Sequence, residues 1–180
     1  ICEKYGVLLL EDCCESHGTK YQGKKVGNFG LMSSFSFYFG HHMSTVEGGM
    51  VVTDDQELYN IMVSLRSHGW SRDMEPAFGQ HIMEKYGVDD FHNRFTFYYP
   101  GFNIRPTDIN AFLGLEQLKR LDDTVQKRSN NYNLYKEKLE NHYWVQKSDA
   151  SFISGFSVGL MAKHLEKIIT VLENNGKETR

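Results

Sequence analysis

Two adjacent histidines, His41 and His42, follow an aromatic run, Ser36-Phe37-Tyr38-Phe39-Gly40, and precede Glu47-Gly48-Gly49. Imidazole exchanges protons near neutral pH, so a histidine at the end of a strand can shuttle one. In a turn it can equally be a satisfied structural group. Asp12 closes an apolar run, residues 7–11. A carboxylate at the end of a buried strand can hold a heteroaromatic nitrogen in its protonated form, because burial strengthens a charge-assisted hydrogen bond. A turn or helix cap uses the same residue type. Ser36 offers a hydroxyl to a phosphate, or is simply a small packed side chain.

Other chemistries fit less well. Adjacent histidines do not present two ligands on one helix face, and the chain has neither HExxH nor paired CxxC, so no metal site is expected. Glu47-Gly48-Gly49 permits close backbone approach but lacks the glycine spacing of a dinucleotide or phosphate loop. A net charge of −3 with scattered lysines and arginines gives no footprint for nucleic acid. Apolar stretches such as Val7-Leu8-Leu9-Leu10 fall short of the roughly 18 residues a membrane span needs. The 3 cysteines, Cys2, Cys13 and Cys14, point to a reducing, cytoplasmic setting and not to a disulfide framework.

The positioning elements are those of an α/β protein. Residues 1–6 read as the last turn of a helix stopped by Gly6, and residues 7–11 as a strand buried on both faces. A hairpin is expected over 18–26 with Gln22-Gly23 at its turn, then buried strands over 33–39 and 49–53. Asp54-Asp55-Gln56-Glu57 reads as an Asp-x-x-Glu helix start. Residues 67–103, rich in aromatics, read as a long irregular segment with an interface or lid role. From Pro106-Thr107-Asp108 a helix should run to about Leu121, burying Ile109, Phe112, Leu113, Leu115, Leu118 and Leu121. Further helices are expected over 123–141 and 165–174, and a strand over 152–159. The pattern divides residues 1–125 from a smaller unit, 126–180, and the abrupt ends read as those of a piece of a longer protein.

Five ordered stretches together resemble the DegT/DnrJ/EryC1/StrS family of sugar aminotransferases: Glu11-Asp12-Cys13-Cys14-Glu15-Ser16-His17-Gly18, Lys25-Val26-Gly27-Asn28-Phe29-Gly30, Ser34-Phe35-Ser36-Phe37, Glu47-Gly48-Gly49-Met50-Val51-Val52-Thr53 and Gly101-Phe102-Asn103-Ile104-Arg105. The resemblance implies the aspartate-aminotransferase fold of fold type I pyridoxal-phosphate enzymes. The chain would then hold the later part of the large, cofactor-binding domain and the start of the small α+β domain. The family's preceding phosphate loop would lie outside it, so the 180 residues alone are expected to be inactive.

One position departs from the family. Five residues after Ser36 the aminotransferases carry the lysine that binds the cofactor covalently, and here stands His41. Imidazole cannot form that stable link. The Lys-to-His change marks a branch similar to the sugar 3-dehydratases, which use the pyridoxamine form of the cofactor on nucleotide-linked 4-keto-6-deoxy sugars, with L-glutamate restoring the amine. By this resemblance His41 is the acid/base, Asp12 holds the pyridine nitrogen, Ser36 binds the cofactor phosphate, and Glu15 lies near the ring hydroxyl where many relatives have Gln. Asn103 and Arg105 would reach a neighbouring subunit's site in a homodimer, with Phe95 grouped beside Arg105. An iron–sulfur branch of the dehydratases needs about four ligating cysteines, and this chain has none after Cys14. Two other readings remain: an aminotransferase using another lysine, Lys20, Lys24 or Lys25 being nearest, and a catalytically silent cofactor-binding relative.

Overall fold

A three-stranded sheet positions the candidate residues. In the computed structural model, which describes residues 1–179, a short helix α1 (Cys2–Tyr5) is closed by Gly6 in the left-handed conformation and leads to β1 (Leu10–Asp12). The chain then makes a hairpin, β2 (Lys20–Tyr21) and β3 (Lys24–Lys25), and returns as β4 (Met32–Ser36) parallel to β1. β5 (Gly49–Val52) lies antiparallel on the other edge of β4, giving the order β1-β4-β5. Gln22 and Gly23 both take positive φ at the hairpin turn, 50° and 80°, as a two-residue turn matched to strand twist requires. Parallel pairing puts the ends of β1 and β4, Asp12 and Ser36, at the same end of the sheet.

The return into β4 is braced by Glu11. Its Oε2 accepts the Gly27 N–H at 2.7 Å, and its Oε1 accepts those of Phe29 and Gly30 at 2.6 and 2.7 Å. Burial works to raise this carboxyl, but the three backbone donors and the nearby Lys24 outweigh it and hold the pKa below 4.5. With the folded pKa depressed, the contribution is complete above the unfolded value near 4.5 and is lost as pH falls through the folded one. Glu11→Gln is therefore expected to cost about 2 kcal/mol at neutral pH. Thermal unfolding of the two proteins between neutral and acid pH checks it: the gap should close only under acid conditions.

Helices follow the sheet: α2 (Gln56–Arg66), α3 (Pro76–Tyr86), α4 (Asp90–Asn93), α5 (Asp108–Leu118) and α6 (Leu121–Leu139), then β6 (Trp144–Val145), β7 (Leu160–Met161) and α7 (Leu165–Asn174). The cap of α2 is Asp55, whose side chain accepts the Leu58 N–H, one residue later than the expected Asp-x-x-Glu start. Thr107 and Asn110 form a full capping box on α5.

Several expectations are corrected. The segment 67–103 is not irregular throughout, because α3 starts on Pro76 and ends on a left-handed Gly87. Buried Asn60 of α2 ties down the start of α3, its Oδ1 accepting the Glu75 N–H at 2.7 Å. Residues 7–11 are not buried on both faces: Val7, Leu8 and Leu10 are exposed, and among the described residues β1 pairs with β4 alone. The α5 stripe is likewise uncovered, with Ile109, Phe112, Leu115 and Leu118 exposed. Its contact with α6 leaves that face without a partner among the described residues. The strand expected over 152–159 is absent; Phe152 makes an isolated bridge to Lys20, and the paired strand is β7.

Candidate active site

Four expected residues come from three strand ends and turns at one end of the sheet. Asp12 ends β1, and its Oδ1 accepts the Cys14 N–H at 3.1 Å and the Ser34 hydroxyl at 3.3 Å. The Cys14 thiol and then the Cys14 N–H hold this carboxyl below the usual range, against a small opposing effect of burial, with Ser34 and His41 assisting. Asp12 is thus an exposed anion held in place by a turn. Ser36 ends β4, its Oγ accepting the Tyr38 N–H at 3.2 Å.

His41 occupies a turn whose N–H donates to the Tyr38 carbonyl at 3.0 Å. Its ring meets Tyr38 and Phe156 edge-on, with centroids 5.5 and 5.4 Å away. Nδ1 is buried without a partner, while Nε2 faces Glu15 Oε1 at 3.7 Å. The ring's side chain is 13% exposed and that of Glu15 57%. Nε2 is therefore the nitrogen turned toward an acidic side chain, and Nδ1 the one sealed in the turn.

The turn that follows is strained. Val46, a β-branched residue, sits at φ 73° and is exposed. Ser44 Oγ accepts its N–H at 3.0 Å, and Asn110 Nδ2 donates to the carbonyls of Thr45 and Glu47 at 2.8 and 3.3 Å. That strain is paid by α5, which pins the glycine pair leading into β5.

Phe95, Asn103 and Arg105 stand apart from this group. Asn103 bridges Ser67 at the end of α2, Arg105 is exposed two residues on, and Phe95 is exposed beside Phe91 after α4. No contact joins them to Asp12, Ser36 or His41 among the described residues. The alternative lysines are engaged elsewhere: Lys24 donates to the Asn28 carbonyl at 2.5 Å, and Lys20 lies 6.0 Å over the Phe152 ring. All three, Lys25 included, are in the exposed hairpin.

Sequence reasoning missed a buried group behind His41. His17 and His42, 5% and 4% exposed, stack with centroids 5.2 Å apart. His42 Nε2 lies 2.8 Å from the Ser154 carbonyl and 2.9 Å from its Oγ. His17 was visible within the quoted Glu15–Gly18 stretch, but nothing local marks Ser154, which comes from far along the chain.

This α/β fold, with an acid and an imidazole at the strand ends, is that of the pyridoxal-phosphate aminotransferases, and the chain belongs to the DegT/DnrJ/EryC1/StrS aminotransferase family, which it matches over residues 1–180. Within that family it is similar to GDP-4-keto-6-deoxy-D-mannose 3-dehydratase of Yersinia pseudotuberculosis, 39% identical over 169 residues that cover 93% of this chain and 42% of that protein. A crystal structure of GDP-4-keto-6-deoxymannose-3-dehydratase, a histidine-to-asparagine mutant with bound GDP-perosamine, superposes with a TM-score of 0.80 at 35% identity, covering 96% of this chain and 46% of the other. The same enzyme with a trapped PLP-glutamate geminal diamine gives 0.80 at 34% identity, covering 97% and 46%. The chain spans less than half the length of these relatives.

Proposed function

We propose that the full-length protein containing this chain is a pyridoxamine-phosphate-dependent 3-dehydratase, removing the C3 hydroxyl of a nucleotide-linked 4-keto-6-deoxy sugar in 3,6-dideoxysugar synthesis. One observation carries the reading: the turn five residues after Ser36 presents an imidazole, His41, where the family's aminotransferases present an amine. Its similarity to GDP-4-keto-6-deoxymannose 3-dehydratases supports GDP-4-keto-6-deoxymannose as the substrate and L-glutamate as the amine donor.

The residues fit the cofactor. Asp12 uses Oδ1 for its turn, stays anionic, and would offer its other oxygen to a protonated ring nitrogen. Ser36, at the neighbouring strand end, would offer its hydroxyl to the phosphate, and Glu15, 3.7 Å from His41 Nε2, would lie near the ring hydroxyl. Bound pyridoxamine phosphate supplies an amine for the C4 ketone and a ring that accepts electrons as C–H and C–O bonds break. His41 Nε2 would accept the proton released at the breaking C–H bond and deliver it to the C3 hydroxyl, which leaves as water, while Tyr38 and Phe156 shield the ring's flanks. Over a full turnover the sugar exchanges C3–OH for C3–H, and glutamate becomes 2-oxoglutarate and ammonia, so atoms and electrons balance. Asn103, Arg105 and Phe95, exposed and away from His41, would serve a second copy's site in a homodimer. Residues 1–125 would be the later part of the cofactor-binding domain and 126–180 the start of the small one. No described helix is long and apolar enough to cross a membrane.

The test is a product assay on the full-length protein with pyridoxamine phosphate, glutamate and GDP-4-keto-6-deoxymannose. One ammonia and one 3-deoxy sugar per turnover are expected, with no cofactor fixed to protein by borohydride. Formation of a 4-amino sugar, with borohydride-fixed cofactor, would instead make the protein an aminotransferase using another lysine.

A further inference from the structure

Both residues flanking His41 are fastened to one distant segment, 154–156. On one side, His42 Nε2 meets the Ser154 carbonyl at 2.8 Å and its Oγ at 2.9 Å. A carbonyl oxygen can only accept, so Nε2 carries the proton and the buried, partnerless Nδ1 is the bare nitrogen of a neutral ring. On the other side, Arg128 of α6 donates Nη1–H to the Phe156 carbonyl at 3.2 Å and Nη2–H to the Gly40 carbonyl at 3.5 Å. Its guanidinium lies 5.6 Å over the Phe156 ring, and that ring is the one His41 meets edge-on.

The segment is itself anchored. Ser154 is wholly buried, and its N–H donates to Thr19 Oγ1 at 3.0 Å. Phe152 and Lys20 exchange two backbone hydrogen bonds, at 2.8 and 3.2 Å. His17 stacks on His42 from the opposite side and meets Phe35 of β4 edge-on at 5.4 Å. The groups facing the His42 ring are thus His17, His41, Arg128 and Ser154, with no carboxylate among the described residues to favour its protonated form. Burial pushes the His42 pKa down to about 4, opposed by the bond to Ser154 and aided by the charges of Arg128, His17 and His41.

We propose that His42 is a positioning residue for the dehydration step: its Nε2–H, held by Ser154, fixes the turn so that the His41 ring seats on Phe156 with Nε2 turned toward Glu15. This rests on the reading of His41 as the acid/base. A surface role does not explain a ring 4% exposed whose single donor is spent on a residue from the other end of the chain. Nor does apolar filling, since a phenyl ring would fill the space without leaving Nδ1 buried and unpaired.

The experiment uses the full-length protein and separates donor from volume. His42→Phe keeps the ring's bulk and removes the N–H; His42→Gln keeps an amide N–H and stays neutral at every pH. A displacement of the acid/base by about 1 Å can cost ~10²-fold in rate, so His42→Phe should lower kcat between about tenfold and a hundredfold with KM unchanged, and shift the pH–rate profile. His42→Gln should recover most of the loss. Histidine-labelled NMR of the wild type should show His42 protonated at Nε2 and not titrating between about pH 5 and 8. An unchanged kcat and pH profile in His42→Phe overturns the proposal. So does a wild-type His42 that titrates like free imidazole, a result independent of whether the variants fold. If His41→Asn keeps full turnover, the reading of His41 fails separately, while the NMR still judges the bond to Ser154.

Discussion

Replacing His41 by asparagine in the full-length protein should lower dehydration by at least ~10²-fold and by as much as ~10⁴-fold, the range a positioned general acid–base contributes. Asparagine keeps a polar side chain of similar reach but has no nitrogen that accepts a proton at neutral pH. The site offers no ready substitute. Glu15, 3.7 Å from Nε2, is more than half exposed, and the exposed Asp12 has its Oδ1 occupied by Cys14 and Ser34. His17 and His42 are sealed behind the turn. His41→Lys should lose dehydration equally while gaining borohydride-fixed cofactor, because it restores the amine the family's aminotransferases carry there. Ammonia release, 3-deoxy sugar yield and mass spectrometry of the borohydride-treated protein read out both variants. Asparagine turnover within a factor of about ten of wild type would remove His41 from the acid/base role.

What could be read in the sequence follows from how local each feature's cause is. The hairpin turn was legible because Gln22-Gly23 satisfies its own backbone demand, and α7 because its apolar period and its stop at Asn174 are contiguous. Asp12 and Ser36 stand out in the sequence as strand-end residues, and a parallel sheet aligns those two ends, whereas the role expected of His41 rests on the family resemblance. Burial was misjudged where it depends on a partner element. Leu8 and Leu10, or Ile109 and Phe112, have the right pattern for a core, yet no described element of this chain covers them. Periodicity reports which face is apolar and is silent on what meets it. The helix α3 was hidden because its signals, Pro76 and Gly87, sit in a segment dominated by aromatic residues. The His42–Ser154 bond was illegible for a different reason: it joins two turns remote in sequence, and an isolated serine carries no mark of such a partner.

Gly69→Ala should be among the most destabilising single-methyl changes in the molecule, because it combines backbone strain with a collision. Gly69 has φ +88°, a conformation costing an L-residue roughly 1–2 kcal/mol. A Cβ there would overlap the Tyr99 carbonyl oxygen and lie 2.9 Å from the Tyr99 carbonyl carbon and 3.1 Å from its nitrogen. These are backbone atoms and cannot rotate aside, and forcing them apart adds about 1–3 kcal/mol. The crossing also positions Asn103 and Arg105. The Gly69 N–H donates to the Ser64 carbonyl and the Gly69 carbonyl accepts from the Tyr98 N–H, both at 2.8 Å, while the Phe102 N–H donates to the Leu65 carbonyl and the Phe102 carbonyl accepts from the His68 N–H, both at 2.6 Å. Ile104 N–H then donates to the Arg66 carbonyl at 3.1 Å, which places Asn103 and Arg105 along the end of α2. The natural control is Gly87→Ala, at φ +65° but with nothing within 4 Å of the new methyl, which isolates the strain. Thermal unfolding of the full-length protein should show Gly69→Ala lowering Tm about two to three times as far as Gly87→Ala. Equal losses would mean that the chain can open this crossing, and that Asn103 and Arg105 are held by something other than the close approach of Gly69 to Tyr99.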